Sequence, residues 1–236
     1  MPLARLDKLL ADSGICSRSE AKELIRSGRV TVNGIVPRTA EEKFASETAE
    51  ICVDGEAVSC SAKRYLMLYK PGGILSATED ARQKTVIDLL SPQLKRQGLF
   101  PVGRLDKDTT GLLLLTNDGD FAHRVISPKK HVSKRYRAAV DGILDESDVR
   151  AFREGITLSD GTRCLPAELT ILRPSVGQVT VFEGKYHQVK RMFAARGKHV
   201  TALHRESVGG LKLDPELKPG EYRELRPEEL LFVFSE

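Results

Sequence analysis

The chain has 236 residues, 40% hydrophobic and 30% charged, enough to bury one good core and a smaller second one, which excludes a disordered tail or a collagen-like rod. No run approaches the roughly 20 apolar residues that cross a bilayer, and the opening MPLARLDKLLADSG carries charges where a secretory signal is apolar, so a cytoplasmic protein with no membrane contact is expected. Thirty-seven Lys and Arg against 33 Asp and Glu leave a net charge of +4, too mild to identify a polyanionic partner by itself.

In the N-terminal part, Leu6, Leu9 and Leu10 recur at helical spacing until Gly14, predicting a short amphipathic helix over 4–12. Ser17 and Glu20 form a capping box that starts a second helix, closed by Gly28, with Ala21, Leu24 and Ile25 as its apolar stripe. At about 100° per residue, Arg18, Lys22, Arg26 and Arg29 fall within an arc of roughly 80° beside that stripe, a basic ridge. RVTVNGIVPR alternates and turns at Asn33-Gly34, and ICVDGEAV adds a strand to a small sheet. RLDKLL followed by SRSEAKELIRSGRVTVNG resembles the S4 RNA-binding domain, which implies that the second helix and hairpin face structured RNA. Three regions follow: an S4-like domain over 1–60, a linker over 61–64 in the aperiodic SCSAKR, and a larger domain over 65–236.

Beyond the linker, RYLMLYKPGG reads as a strand and a turn, QKTVIDLLS as a short helix, and LFPVGRLD and GLLLLTND as strands. DFAHRVIS, SDVRAFREGI and HQVKRMFAARG read as helices; KRYRAAV, LPAELTILRP, QVTVFEG and VGGLKL as strands. Strands outnumber helices and neighbouring strands are linked too tightly for parallel crossovers, so an α+β domain with a mostly antiparallel sheet is expected. Cys16, Cys52, Cys60 and Cys164 show neither a CxxC pair nor zinc-ligand spacing and read as small core fillers.

Charge is unevenly spread. Residues 121–140 and 184–205 each hold six Lys or Arg and no acid, whereas 214–236 holds seven acids against three bases, a distribution suited to a phosphate backbone on one face. Between two apolar strands, GRLDKDTTGLLLLTNDG places Arg104, Asp106, Asp108, Thr109 and Thr110 in one polar loop, a usual location for reactive groups. Asp106 and Asp108 could ligate a metal, but no third carboxylate lies close by in sequence, so no metal is expected.

This loop resembles the signature of the pseudouridine synthases, with Asp106 on the family's invariant aspartate; KPGG at 70–73, KRYRA at 134–138 and EGKYHQVKRMF at 183–193 extend the resemblance over the chain. It is similar to the S4-carrying branch that acts on ribosomal RNA, most of all to the small-subunit members. The implied reaction detaches uracil N1 from the ribose, rotates the base and joins C5 to the same carbon, with no redox change and no cofactor. The resemblance implies that Asp106 is the essential carboxylate, as nucleophile on sugar or base or as base for a sugar proton, that Lys190 is its cationic partner, and that Tyr136 stacks on the target base. Arg104 would hold the nucleotide out of its helix, and Lys70 with Pro71-Gly72-Gly73 would shape the pocket wall. RNA contacts are expected from Arg5, Arg18, Lys22, Arg26, Arg29, Lys70, Arg104, Lys134, Lys185 and Arg191. His123, His131, His187, His199 and His204 are assigned to structure or phosphate contact. A large-subunit target and a non-catalytic RNA-binding assembly factor stay open as alternatives, as do naked RNA and an assembling ribonucleoprotein particle as substrate. A monomer is expected because no exposed apolar repeat is evident.

Overall fold

The structure, a computed structural model, describes residues 3–45, 48–58 and 63–235. It divides into two compact units, one of residues 1–64 with 90–100, the other of 65–89 with 101–236. Segment 90–100, read from sequence as part of the larger domain, belongs to the first unit. Cys60 and residues 61 and 62 of the expected linker lie outside the described residues.

The first unit runs through β1 (Leu3–Arg5), α1 (Leu6–Asp12), α2 (Arg18–Arg26), β2 (Val30–Val32), β3 (Lys43–Ala45), β4 (Ile51–Val53) and β5 (Glu56–Val58). Helix α1 starts at Leu6, two residues later than the expected span, because residues 3–5 pair antiparallel with β3. The capping box on α2 is present: Ser17 Oγ accepts from Glu20 N at 3.2 Å, and Ser17 N donates to the Glu20 carboxylate at 2.6 Å. Leu6, Leu9 and Leu10 pack with Ala21, Ile25, Val30 and Ile51 in one buried cluster. The Asn33-Gly34 turn forms, both residues having positive φ, but only Ile35 bridges back to Val32. Pro37 follows closely and cannot donate to a ladder, so β2 pairs with β4 instead. ICVDGEAV is two strands, folded on themselves at Asp54-Gly55. Cys16 is buried here, whereas Cys52 is only half-buried.

The second unit begins with β6 (Tyr65–Lys70), after which the chain contributes α3 (Pro92–Lys95) to the first unit. There follow β7 (Phe100–Pro101), β8 (Thr110–Thr116), α4 (Gly119–Ile126), β9 (Lys134–Val140), α5 (Glu146–Glu154), β10 (Glu168–Arg173), β11 (Val176–Val181), α6 (Gln188–Ala195), β12 (Val200–Val208), β13 (Leu211–Lys212), β14 (Tyr222–Glu224) and α7 (Pro227–Phe232). The main sheet is ordered β10-β11-β9-β12-β8-β6-β14, with β13 and β7 flanking β12 and β8. The α+β architecture with a mostly antiparallel sheet is as expected. QKTVIDLLS forms only a single 3₁₀ turn, over Val86–Leu89.

The sequence reading did not foresee β12, β14 or α7. The omission of β12 matters most, because it lies between β9 and β8 and is parallel to β8, a departure from the antiparallel rule. Its HVTALHRESV carries charged and polar residues among the apolar ones, which hides its period. The β8 run Leu112–Leu115 is buried throughout, as suits a strand covered on both faces. On one side of the sheet, Phe152 of α5 and Met192 and Phe193 of α6 pack against Val179 and Leu169. Among the described residues, no helix is long and apolar enough to cross a membrane.

The β8–β12 seam is very tight. Gly111 sits opposite Arg205 with φ +107°, and a Cβ there would lie 2.3 Å from the Arg205 carbonyl oxygen and 2.6 Å from its nitrogen. Gly111→Ala is therefore expected to destabilise the protein by about 3 kcal/mol or more. Gly119→Ala, whose Cβ meets nothing within 4 Å, should change stability by less than about 1 kcal/mol. Urea midpoints of both variants check this, and equal effects would show that the seam tolerates a side chain.

Candidate active site

Residues 103–109 join β7 to β8 and are fastened from below. Ser76 Oγ donates to the Leu105 carbonyl at 2.8 Å and accepts from Leu105 N at 3.1 Å. Lys70, at the end of β6, is fully buried, and its ammonium donates to the carbonyl oxygens of Pro71 at 3.0 Å, Lys107 at 3.1 Å and Thr109 at 2.9 Å. All three donors are thus spent on the loop. Lys70 holds the loop from below rather than lining the Asp106 cavity, and with its ammonium on backbone carbonyls it is not placed to contact RNA, which corrects its inclusion among the RNA-binding residues. Burial lowers its pKa to about 8, against the raising influence of Asp108 and Asp106.

The loop presents Asp106 to the start of α6. Lys190 Nζ lies 3.0 Å from Asp106 Oδ2 and 2.5 Å from Asp108 Oδ1, and His187 Nε2 lies 3.4 Å from Asp106 Oδ1. Burial opposes the Lys190 charge, but the hydrogen bonds to Asp108 and Asp106 outweigh it and raise its pKa; the same ammonium lowers that of Asp108. The two carboxylates that could have suggested a metal therefore converge on one lysine. Among the described residues, no group of three or more His, Cys, Asp or Glu side chains is arranged to hold a metal ion.

His187 is the participant that sequence reasoning missed. It stands just before α6, three residues ahead of Lys190 but outside the helical backbone, so no helical-face spacing pointed to it. It has left-handed backbone, φ 48°, at the N-cap of α6, and its ring stacks on Tyr186 at 3.8 Å. Gln188 and Glu183 brace this turn from inside: Glu183 accepts from Gln188 Nε2 and from Leu165 N, both at 2.9 Å, and pairs with Lys185.

Tyr136 lines the same cavity as Asp106, together with Arg104, Glu183, Val189 and Leu203. It lies on β9 between Val179 of β11 and Arg205 of β12. The wall of the cavity offers a carboxylate paired with the Lys190 ammonium and flanked by the His187 ring, an aromatic ring and an exposed arginine, Arg104, at its rim. Such a group can attack or stabilise an electron-poor carbon while the ring supports a planar base.

Several residues expected to meet RNA have partners within the protein. Arg5 and Arg18 pair with the fully buried Asp7 at 2.9 and 3.2 Å, and Arg29 pairs with Asp54. Arg191 pairs with Asp160 at 2.5 Å, and Lys185 with Glu183. Lys134 is buried, with its ammonium 3.3 Å from the Val125 carbonyl oxygen. Asp54 and Asp160 are brought beside Arg29 and Arg191 from distant parts of the sequence, whereas Asp7 and Glu183 stand only two residues from Arg5 and Lys185. Lys22 and Arg26 remain exposed on α2, and among the described residues neither has an ion-pair partner.

The Lys70 clasp has a measurable pH signature. With a folded pKa of about 8 against 10.5 for the free side chain, the unfolded chain binds more protons between these values, so the Lys70 contribution to stability rises with pH across that window. The stability difference between wild type and Lys70→Met should grow from pH 8 to 10.5 by at most about 3 kcal/mol. A difference that stays constant or shrinks across urea titrations would contradict this.

The family model of RNA pseudouridylate synthase matches residues 64–195, and that of the S4 domain matches residues 4–41. The chain is 48% identical over 230 residues to the uncharacterized RNA pseudouridine synthase YtzG of Bacillus subtilis, covering 96% of each chain. It is 42% identical to ribosomal small subunit pseudouridine synthase A of Vibrio cholerae, covering 98% of this chain and 100% of that one, and 41% identical to the Escherichia coli K12 protein of the same name, covering 97% and 99%. A crystal structure described as a pseudouridylate synthase superposes with a TM-score of 0.70 at 38% identity, covering 97% and 99%. An N-terminal S4 domain is thus followed by a catalytic domain whose signature loop carries Asp106, and the chain belongs to the RNA pseudouridylate synthase family.

Proposed function

We propose that the protein converts one uridine of small-subunit ribosomal RNA to pseudouridine, with Asp106 as the essential carboxylate. The observation that carries this reading is the convergence of Lys190 and His187 on Asp106, which lines one cavity with Tyr136. Near-full-length similarity to synthases named for the small subunit supports the choice of RNA. Asp106 meets the electron-poor ribose carbon or the base, Lys190 and His187 hold its carboxylate, and Tyr136 stacks on the uracil. Arg104 at the rim keeps the nucleotide out of its stack, since a base within a helix cannot reach a recessed carboxylate. Every one of these side chains comes from the second unit of a single chain, which is consistent with a monomer.

Carbodiimide-primed reverse-transcription stops on small- and large-subunit RNA, as naked transcripts and as partly assembled subunits, test the proposal. One new stop in small-subunit RNA is expected; a stop confined to large-subunit RNA would reject the assigned substrate. Asp106→Asn should lower single-turnover conversion by at least about 10³-fold while RNA affinity changes less than about twofold. Conversion at the wild-type rate would move the chemistry to another residue.

In the S4 domain, the exposed Lys22 and Arg26 are the phosphate contacts of the α2 ridge. Replacing both with Ala should reduce the slope of log affinity against log salt by about 1 to 2, whereas Arg29→Ala, whose charge is already matched by Asp54, should leave it nearly unchanged. Equal slopes for the wild type and the double variant would assign RNA contact to another face.

A further inference from the structure

The Asp106 cluster has no excess of positive charge: the single Lys190 ammonium is shared between two carboxylates, Asp106 and Asp108. No positive charge there is left over for the substrate. The proposed reaction nevertheless makes the uracil an anion. If the C1′–N1 bond breaks first, its electron pair leaves with N1, and the charge spreads to the ring carbonyl oxygens while C1′ bonds to an Asp106 oxygen or loses a neighbouring proton. If Asp106 instead adds to C6, the C5–C6 π electrons move onto O4. In both routes C5 later bonds to C1′, the C5 proton is removed, and N1 ends protonated, so atoms and electrons balance as an isomerisation. Either way, an anionic base stands against Tyr136 during the reaction.

A second cavity adjoins the Asp106 cavity and shares Arg104, Tyr136, Glu183 and Gly184 with it. Its remaining wall is apolar, including Val102, Leu114, Val125 and Val208, apart from two cations, Lys134 and Arg205. Lys134 lies two residues before Tyr136 on β9 and shares its face of the sheet. Arg205 is the direct cross-strand neighbour of Tyr136, with its guanidinium carbon 6.0 Å from the ring centroid. Lys134 is 8% and Arg205 4% exposed, and among the described residues neither has a carboxylate partner. Lys134 reaches one carbonyl oxygen, of Val125 at 3.3 Å, and Arg205 Nε donates to that of Leu112 at 2.7 Å. Glu183, the acid on this wall, is already engaged by Lys185, Gln188 and the Leu165 amide. Two buried cations without a counter-charge are unfavourable in an apolar cavity unless an anion arrives.

We propose that Lys134 and Arg205 form a cationic floor beneath Tyr136 that stabilises the negative charge on the uracil while it is detached from, or activated against, the ribose. The inference rests on the uridine-isomerising reading of the Asp106 site and adds to it the source of positive charge. Burial, and then the neighbouring Arg205, pushes the Lys134 ammonium down to about 8, which reflects how little the protein does to balance it. Charges fixed in a water-excluded site act with little reorganisation as an anion develops, and removing one such group typically slows an enzyme by about 10²–10³-fold.

The test is single-turnover conversion by the full chain of an RNA that the wild type modifies, made with uridine or with 5-fluorouridine, whose uracil is the more acidic. Lys134→Met should slow the uridine reaction by about 10²-fold, with RNA affinity within about twofold of wild type. With 5-fluorouridine, bond cleavage should be slowed less than about tenfold, because the better leaving group needs less help. Lys134→Arg, which keeps the charge, should stay within about tenfold of wild type on both, and thermal melting separates misfolding from loss of chemistry. An equal deficit of Lys134→Met on both substrates, or none on uridine, would overturn the proposal while leaving the Asp106 site intact. A wild type that converts neither small- nor large-subunit RNA, naked or partly assembled, would overturn the uridine reading and this inference with it.

Discussion

The parallel seam between β8 and β12 is the constraint on which the site depends. Gly111 faces Arg205 across it at a separation that no side chain fits, so the start of β8 is pinned against the middle of β12. The signature loop runs directly into β8, and β12 also pairs with β9. The seam therefore sets Asp106, Tyr136 and Arg205 around one pair of cavities. A small slip would separate them, because side chains in a sheet change face with every residue. Lys70 and Ser76 then remove the remaining freedom of the loop by taking up the carbonyls of Leu105, Lys107 and Thr109.

Charge is divided in a way that matches two separate tasks. Around Asp106, two carboxylates share one ammonium, which holds a carboxylate in place and leaves no positive charge there to attract a polyanion. Beneath Tyr136, positive charge is left unbalanced and partly desolvated. Lys134 and Lys70, both pushed to about 8 by burial, differ in what surrounds them. Lys70 is surrounded by carbonyl oxygens and serves the backbone; Lys134 has one distant carbonyl and an open cavity.

In the N-terminal unit, basic residues also serve two ends. Arg5 and Arg18 are needed by Asp7, whose burial would raise its pKa but whose hydrogen bonds to both guanidinium groups lower it instead. They help lock α1 to α2, while Lys22 and Arg26, lacking such partners, are left to solvent and to phosphate. A basic ridge counted from sequence is therefore larger than the surface available to RNA.

The sequence by itself determined a good deal. The Ser17–Glu20 box, the Leu112–Leu115 run and the Asn33-Gly34 turn are local signals, since each depends on residues within a few positions. The resemblance carried by the signature loop and HQVKRMF implied that Asp106 and Lys190 are partners, and the two lie 3.0 Å apart. Only the tertiary structure decided which charges were already taken. Asp160 claims Arg191 and Asp7 claims Arg18 across gaps that no spacing rule spans. Likewise, β12 was hidden because Arg205 breaks its apolar alternation, and an arginine makes sense in a buried strand only once its neighbours are known. Local patterns fix elements because they act through adjacent backbone; long-range pairing, burial and charge balance arise only when distant segments share space.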